Sequence, residues 1–146
     1  HWFYDSGVAS GKKVDYEFVL DHPDTQSPLS VSARVMSSGV LLGKVRELAG
    51  DDDFIITGDF NARPESLAIE RMTEGGFAVD SYTVSDTPPA GEIYTFNGWK
   101  DEPGEGRIDY IFIRNGMKVA SHKTHRVIED GVFISDHWPV TARILK

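Results

Sequence analysis

The sequence has no cysteine, no apolar stretch long enough to cross a bilayer, and little positive charge: 15 Lys and Arg stand against 23 Asp and Glu, a formal net charge of −8. Each shortage excludes something. Without cysteine there are no disulfides and no thiolate metal sites, and the compartment is left unspecified. Without a long apolar run there is no membrane-spanning helix. A cleavable leader is also not visible, but the chain opens on His1 rather than Met, so a removed secretion signal stays open. Without a basic stripe, long nucleic acid is a weaker partner than a small phosphoester, because neutralising many phosphates supplies most non-specific nucleic-acid affinity. The two basic stretches, Lys12-Lys13 and Lys118–Arg126, read as a turn and a solvated strand.

At 146 residues, with 40% hydrophobic residues, the chain fits one domain spanning residues 1–146 with a real core. Val14–Leu20 alternates as a strand after the Gly7–Lys13 turn, and Asp21–Pro28 is a polar loop. Apolar spacing from Val31 to Leu48 predicts a helix over Leu29–Leu48, weakened at Ser37-Ser38-Gly39 and ended at Gly50. Asp53–Thr57 reads as a buried strand, Pro64 as the first turn of a helix reaching Thr73, and Gly75-Gly76 as its stop. Further strands are expected at Ile93–Phe96, Arg107–Ile113, Lys118–Val127 and Val140–Leu145, with an apolar run at Gly131–Ile134. Asn115-Gly116 is the turn signal joining two of them. The pattern is mixed α/β, strand-rich toward the C-terminus.

Acids, an amide and an imidazole recur at the ends of these runs: Gly58-Asp59-Phe60-Asn61, Arg107-Ile108-Asp109-Tyr110-Ile111 and Ser135-Asp136-His137. Such a set suits a divalent-metal phosphoesterase, which needs oxygen ligands, a base and a donor for phosphate. Each residue also has a plainer reading. Asp59 and Asn61 are ordinary at a strand-end turn. Asp109 inside an apolar strand needs a partner, and Arg107 could be that partner. A histidine beside Trp138 is often a packed one. Trp99 could stack on a base or sugar, or simply pack.

Taken in order, Gly58–Asn61 followed by Ala62-Arg63-Pro64, then Thr95-Phe96, Arg107–Ile111 and Ser135–His137 resemble the C-terminal half of the endonuclease/exonuclease/phosphatase superfamily. The resemblance implies a DNase I-like fold: half of a four-layer α/β-sandwich, with a mixed, mostly antiparallel sheet and helices on one face. It implies a phosphomonoester or phosphodiester hydrolase, nucleases included, in which Asp59 orients or deprotonates water, Asn61 and His137 hold the phosphate, and Asp109 orients His137. Asp136 would bind Mg²⁺ or Mn²⁺, directly or through water, and Trp99 would contact substrate.

Two departures accompany the match. The family's N-terminal half, which supplies metal-binding Asn and Glu, is expected to be absent. Where the family has a phosphate-contacting His in Asn-Thr-His-Leu-Asp-His, this chain has Val19 within Glu17–His22, with His22 as a nearby loop residue. Half a sandwich exposes an apolar sheet face, so a second copy or the missing half is expected to cover it. A catalytically incomplete binding or structural module is the alternative reading.

Overall fold

In the computed structural model, residues 28–145 are described here. The first helix, α1 (Pro28–Ala49), starts on a proline whose missing N–H costs nothing in a first turn. It stops where Gly50 turns left-handed (φ 53°). Ser37-Ser38-Gly39 does not interrupt it. Ser38 is buried with its hydroxyl bonded back to the Arg34 carbonyl (3.1 Å), and Gly39 leaves room for the Arg71 side chain, whose Nε would stand 3.4 Å from a Cβ there. Small residues at the centre of α1 therefore admit its neighbour, the short helix α2 (Leu67–Thr73). Pro64 does not begin α2 as expected; it lies in a turn before the Ser66 N-cap, and a 3₁₀ turn at Glu74–Gly76 follows.

The strands are β1 (Ile55–Asp59), β2 (Ala78–Asp80), β3 (Ala90–Gly91), β4 (Asp109–Arg114), β5 (Lys118–Thr124), β6 (Ile128–Glu129), β7 (Val132–Phe133) and β8 (Val140–Leu145). One sheet has the order β1-β4-β2, all antiparallel; another has the order β3-β5-β8, with β3 parallel to β5; β6 and β7 form a small hairpin. Both helices lie against one face of the first sheet. Leu42 of α1, Ala68, Ile69 and Met72 of α2, and Ala78, Tyr110 and Phe112 of the strands form the core there. Phe60 closes it with edge-on contacts to Tyr110 and Phe112.

Several expectations are corrected. Asn115-Gly116 does make a turn (Met117 N–H to Arg114 O, 3.2 Å), but the strands it joins do not pair with each other. A turn signal marks a reversal of chain; pairing is decided by which partner buries each strand, and β4 is buried between β1 and β2. Ile93–Phe96 is not a strand; only a single bridge, Phe96 to His137, forms there, and the adjoining pairing falls at Ala90–Gly91. The runs at Ile55–Thr57 and Val132–Ile134 are not uniformly buried: Ile55, Val132 and Ile134 are more than half exposed. Val14–Leu20, Asp21–Ser27 with His22, and Val19 lie outside the described residues.

Candidate active site

The antiparallel register sets Asp59, the last residue of β1, directly opposite Asp109, the first of β4. Directly paired residues point to the same side of a sheet. Asp59, Asp109, Thr57 and Ile55 therefore share the face opposite the helices, with both carboxylates at one end of it. Just beyond β1 the chain turns: Asn61 is left-handed (φ 47°), a conformation Asn tolerates better than most residues. Its backbone N–H donates to Asp59 Oδ1 (2.7 Å) and its amide to Asp59 Oδ2 (3.0 Å). The Tyr110 hydroxyl donates to the Ala62 carbonyl (2.8 Å), fixing this turn from below.

His137 enters from the other direction. Its Nδ1 lies 2.8 Å from Asp109 Oδ2, and its backbone N–H bonds the Ser135 hydroxyl (3.1 Å). With Nδ1–H turned to Asp109, Nε2 remains for a ligand. The bond answers what accompanies Asp109 within its strand: it is His137. Arg107 pairs instead with Asp80 (2.5 Å), both almost fully buried, and its guanidinium lies between the Tyr82 and Tyr110 rings.

Two residues without an assigned role hold these parts together. The buried Thr95 hydroxyl accepts the N–H groups of Ile108 (2.9 Å) and Asp109 (3.1 Å), while its carbonyl accepts Trp138 N–H (2.7 Å). Buried Asn97 donates through its amide to the Ser135 carbonyl (3.1 Å), and its N–H bonds the Asp136 carbonyl (2.8 Å). The Thr95-Phe96 motif was the sequence signal for this strut. Trp138 is buried, near-parallel to Phe133, which fits packing.

Charge at the site is biased in one direction. Desolvation pushes the Asp59 carboxyl above its ordinary value, with the neighbouring Asp109 charge adding to it against the Asn61 hydrogen bonds and His137. Burial alone would lower His137, but its bond to Asp109 and the charges of Asp109, Asp59 and Asp136 raise it. Both groups are thus displaced upward, and Asp109 takes part in each shift.

Asn61 and His137 line a cleft of about 1050 Å³, whose other walls come from α1, the start of α2 and the loop 96–106. Phe96 lines it, its ring edge-on to His137 (centroids 5.1 Å). Trp99, left-handed at φ 64° and mostly exposed, does not line this cleft. As for a metal, among the described residues no group of three Asp, Glu or His side chains is placed to hold an ion.

Residues 3–137 match the Endonuclease/Exonuclease/phosphatase family. Similar solved structures include a mannosyl-6-phosphatase of Bacteroides thetaiotaomicron, 29% identical, with 79% of this chain and 46% of that one covered and a TM-score of 0.69. An endonuclease/exonuclease/phosphatase of Bacteroides vulgatus is 28% identical, with 80% and 45% covered and a TM-score of 0.72. Truncated Caenorhabditis elegans TDP2, 21% identical, with 83% and 51% covered and a TM-score of 0.61, shares the fold. No curated protein matches the chain. The chain spans about half the length of these structures. The fold is mixed α/β of the DNase I-like type, and the family match runs through the turn at Asp59, through Asp109 and up to His137. The chain belongs to the Endonuclease/Exonuclease/phosphatase family.

Proposed function

We propose that this chain forms the phosphate-binding part of a phosphoester hydrolase that takes small phosphoesters in preference to long nucleic acid. The observation that carries the reading is the Asp109–His137 hydrogen bond placed beside Asp59 and Asn61, with Asn61 and His137 lining a cleft. Water attacks phosphorus in line with the leaving oxygen. Asp59 orients that water and accepts its proton; both its oxygens already hold one Asn61 donor, yet a carboxylate has about four acceptor sites, so capacity remains. Its raised pKa makes it a better base near neutrality than an ordinary aspartate. The second Asn61 amide hydrogen and His137 Nε2–H hold the phosphoryl oxygens as charge develops, and Asp109 keeps the imidazole in the orientation that allows this.

Similarity to a mannosyl-6-phosphatase supports a small phosphoester, and so does the net charge of −8. We propose further that the protein requires Mg²⁺ or Mn²⁺, with Asp136 among the ligands. Since the described residues do not enclose an ion, the remaining ligands would come from outside them. That same observation favours a second reading, a binding module whose site is incomplete. Hydrolysis of p-nitrophenyl phosphate separates the two. Asp59→Ala and His137→Ala should each lower kcat about 10²-fold or more. Equal rates in variants and wild type would remove the catalytic roles; no hydrolysis by the wild type, with phosphate still bound, would favour the module.

A further inference from the structure

The Asp109–His137 hydrogen bond joins parts of the chain that no common sheet holds. Asp109 opens β4 in the first sheet, while His137 lies just before β8 of the second. Neither ladder sets the distance between them. The segment 95–98 bonds to both.

Thr95 takes hold of the two sides at once. Its hydroxyl accepts the N–H groups of Ile108 and Asp109, and its carbonyl accepts the N–H of Trp138, the residue after His137. Asn97 holds the stretch before His137. Its amide donates to the Ser135 carbonyl, and the N–H groups of Asn97 (2.8 Å) and Gly98 (3.1 Å) both donate to the Asp136 carbonyl. The Asn97 side-chain oxygen is already taken by Trp99 N–H (2.8 Å), so the NH₂ end is the one that faces Ser135. A backbone bridge from Phe96 to His137 closes the bracket.

Thr95 and Asn97 are 1% and 6% exposed. Buried polar side chains are costly unless their bonds are made. A valine at 95 would fill the same space and leave two backbone N–H groups without this acceptor. Misplacement by about 1 Å can cost about 10²-fold in rate, so a 2.8 Å bond between carboxylate and imidazole tolerates little drift of either backbone.

We infer that Thr95 and Asn97 are positioning residues, which act through the Asp109–His137 hydrogen bond by fixing the backbones that carry its two partners. Their effect on rate rests on the phosphoester reading above; their effect on the bond can be measured without any reaction. In the full chain with ¹⁵N-labelled histidine at low temperature, the His137 Nδ1–H proton should give a downfield resonance that His137→Ala removes. Thr95→Val should broaden or abolish it, and Thr95→Ser, which keeps the hydroxyl, should restore it. With p-nitrophenyl phosphate and Mg²⁺, Thr95→Val should lower kcat about tenfold and leave KM within about twofold. In an Asp109→Ala background the same substitution should cost almost nothing more, because the bond it positions is already gone. Asn97→Ala should act alike from the His137 side, and it carries the test if Thr95→Val melts too low to assay.

No such resonance in the wild type, a resonance undiminished in both Thr95→Val and Asn97→Ala, or rate losses that multiply fully with that of Asp109→Ala would overturn the inference. Loss of the resonance with kcat unchanged would keep the positioning and remove His137 from the chemistry. A wild type that shows the resonance and its loss in Thr95→Val, yet neither hydrolyses the ester nor binds methylphosphonate, would sink the phosphoester reading and leave the positioning standing.

Discussion

Asp59 and His137 are both displaced upward in pKa, and the shared direction defines a pH window. Catalysis as proposed needs Asp59 ionised and His137 protonated, so kcat/KM should be bell-shaped, with its acid limb above 3.8 and its alkaline limb above 6.5. Asp109 contributes to both shifts, by its charge on Asp59 and by its hydrogen bond and charge on His137. Asp109→Asn should therefore move both limbs to lower pH, and a pH–rate profile that moves one limb alone would contradict the shared cause. Stability follows from the same signs. A group with a folded pKa above its unfolded value stabilises most below the unfolded value and loses that contribution as pH rises through the folded one. At pH 7 an ionised Asp59 is thus held against its preference, and Asp59→Asn should melt no lower than wild type while losing activity. A clear drop in Tm would mean the two Asn61 hydrogen bonds outweigh desolvation. At this scale the sequence was informative where a polar group sat in an apolar strand: Asp109 needed a partner, though residue order could not choose between Arg107 and His137. The choice depends on Asp80, which claims Arg107 and which three short strand residues gave no reason to single out.

The elements that hold the site are short and depend on buried polar contacts more than on length. Asp80, on the three-residue β2, anchors Arg107, which lies immediately before the segment leading into Asp109 and packs against the Tyr110 ring; Tyr110 in turn fixes the Ala62 carbonyl beyond Asn61. Removing one member of such a pair leaves a charge buried without its counterion. Asp80→Ala should cost about 3–5 kcal/mol in urea unfolding. It should also weaken phosphate binding beyond what a remote stability variant would. A loss under about 1 kcal/mol would mean that water replaces the carboxylate. The long helix, the β1 and β4 runs and β8 were readable from their apolar residues, although only β4 is largely buried: α1 fully buries just Ser38 and Leu42, and β1 keeps only Ile56 partly covered. β2 and β3 were not, since two or three residues carry no period, and Gly91 is selected by close approach: a Cβ there would stand 1.8 Å from the Thr124 carbonyl oxygen. The Asn115-Gly116 turn was readable as a turn and misleading as a hairpin, because its flanking strands find their partners elsewhere.

For the whole molecule, the decisive fact is one of extent. One face of the β1-β4-β2 sheet is covered by α1 and α2, while the opposite face carries the carboxylate end and leaves Ile55 53% exposed. The chain covers 46% of the mannosyl-6-phosphatase it resembles. A hard cation such as Mg²⁺ is commonly held by one or two carboxylates plus substrate phosphate, keeping several waters. An incomplete carboxylate set among residues 28–145 is thus compatible with a cation that other ligands help to hold. Stripping divalent cations with EDTA should abolish hydrolysis of p-nitrophenyl phosphate, and added Mg²⁺ should restore it. Asp136→Asn should raise the Mg²⁺ concentration for half-maximal rate by about 10–100-fold while leaving the saturated rate closer to wild type than Asp59→Ala does. Chelation without effect would overturn the cation requirement and leave Asp59, Asn61 and His137 to account for the whole rate. Sensitivity to EDTA with no response to Asp136→Asn would keep the cation and take Asp136 out of its ligand set.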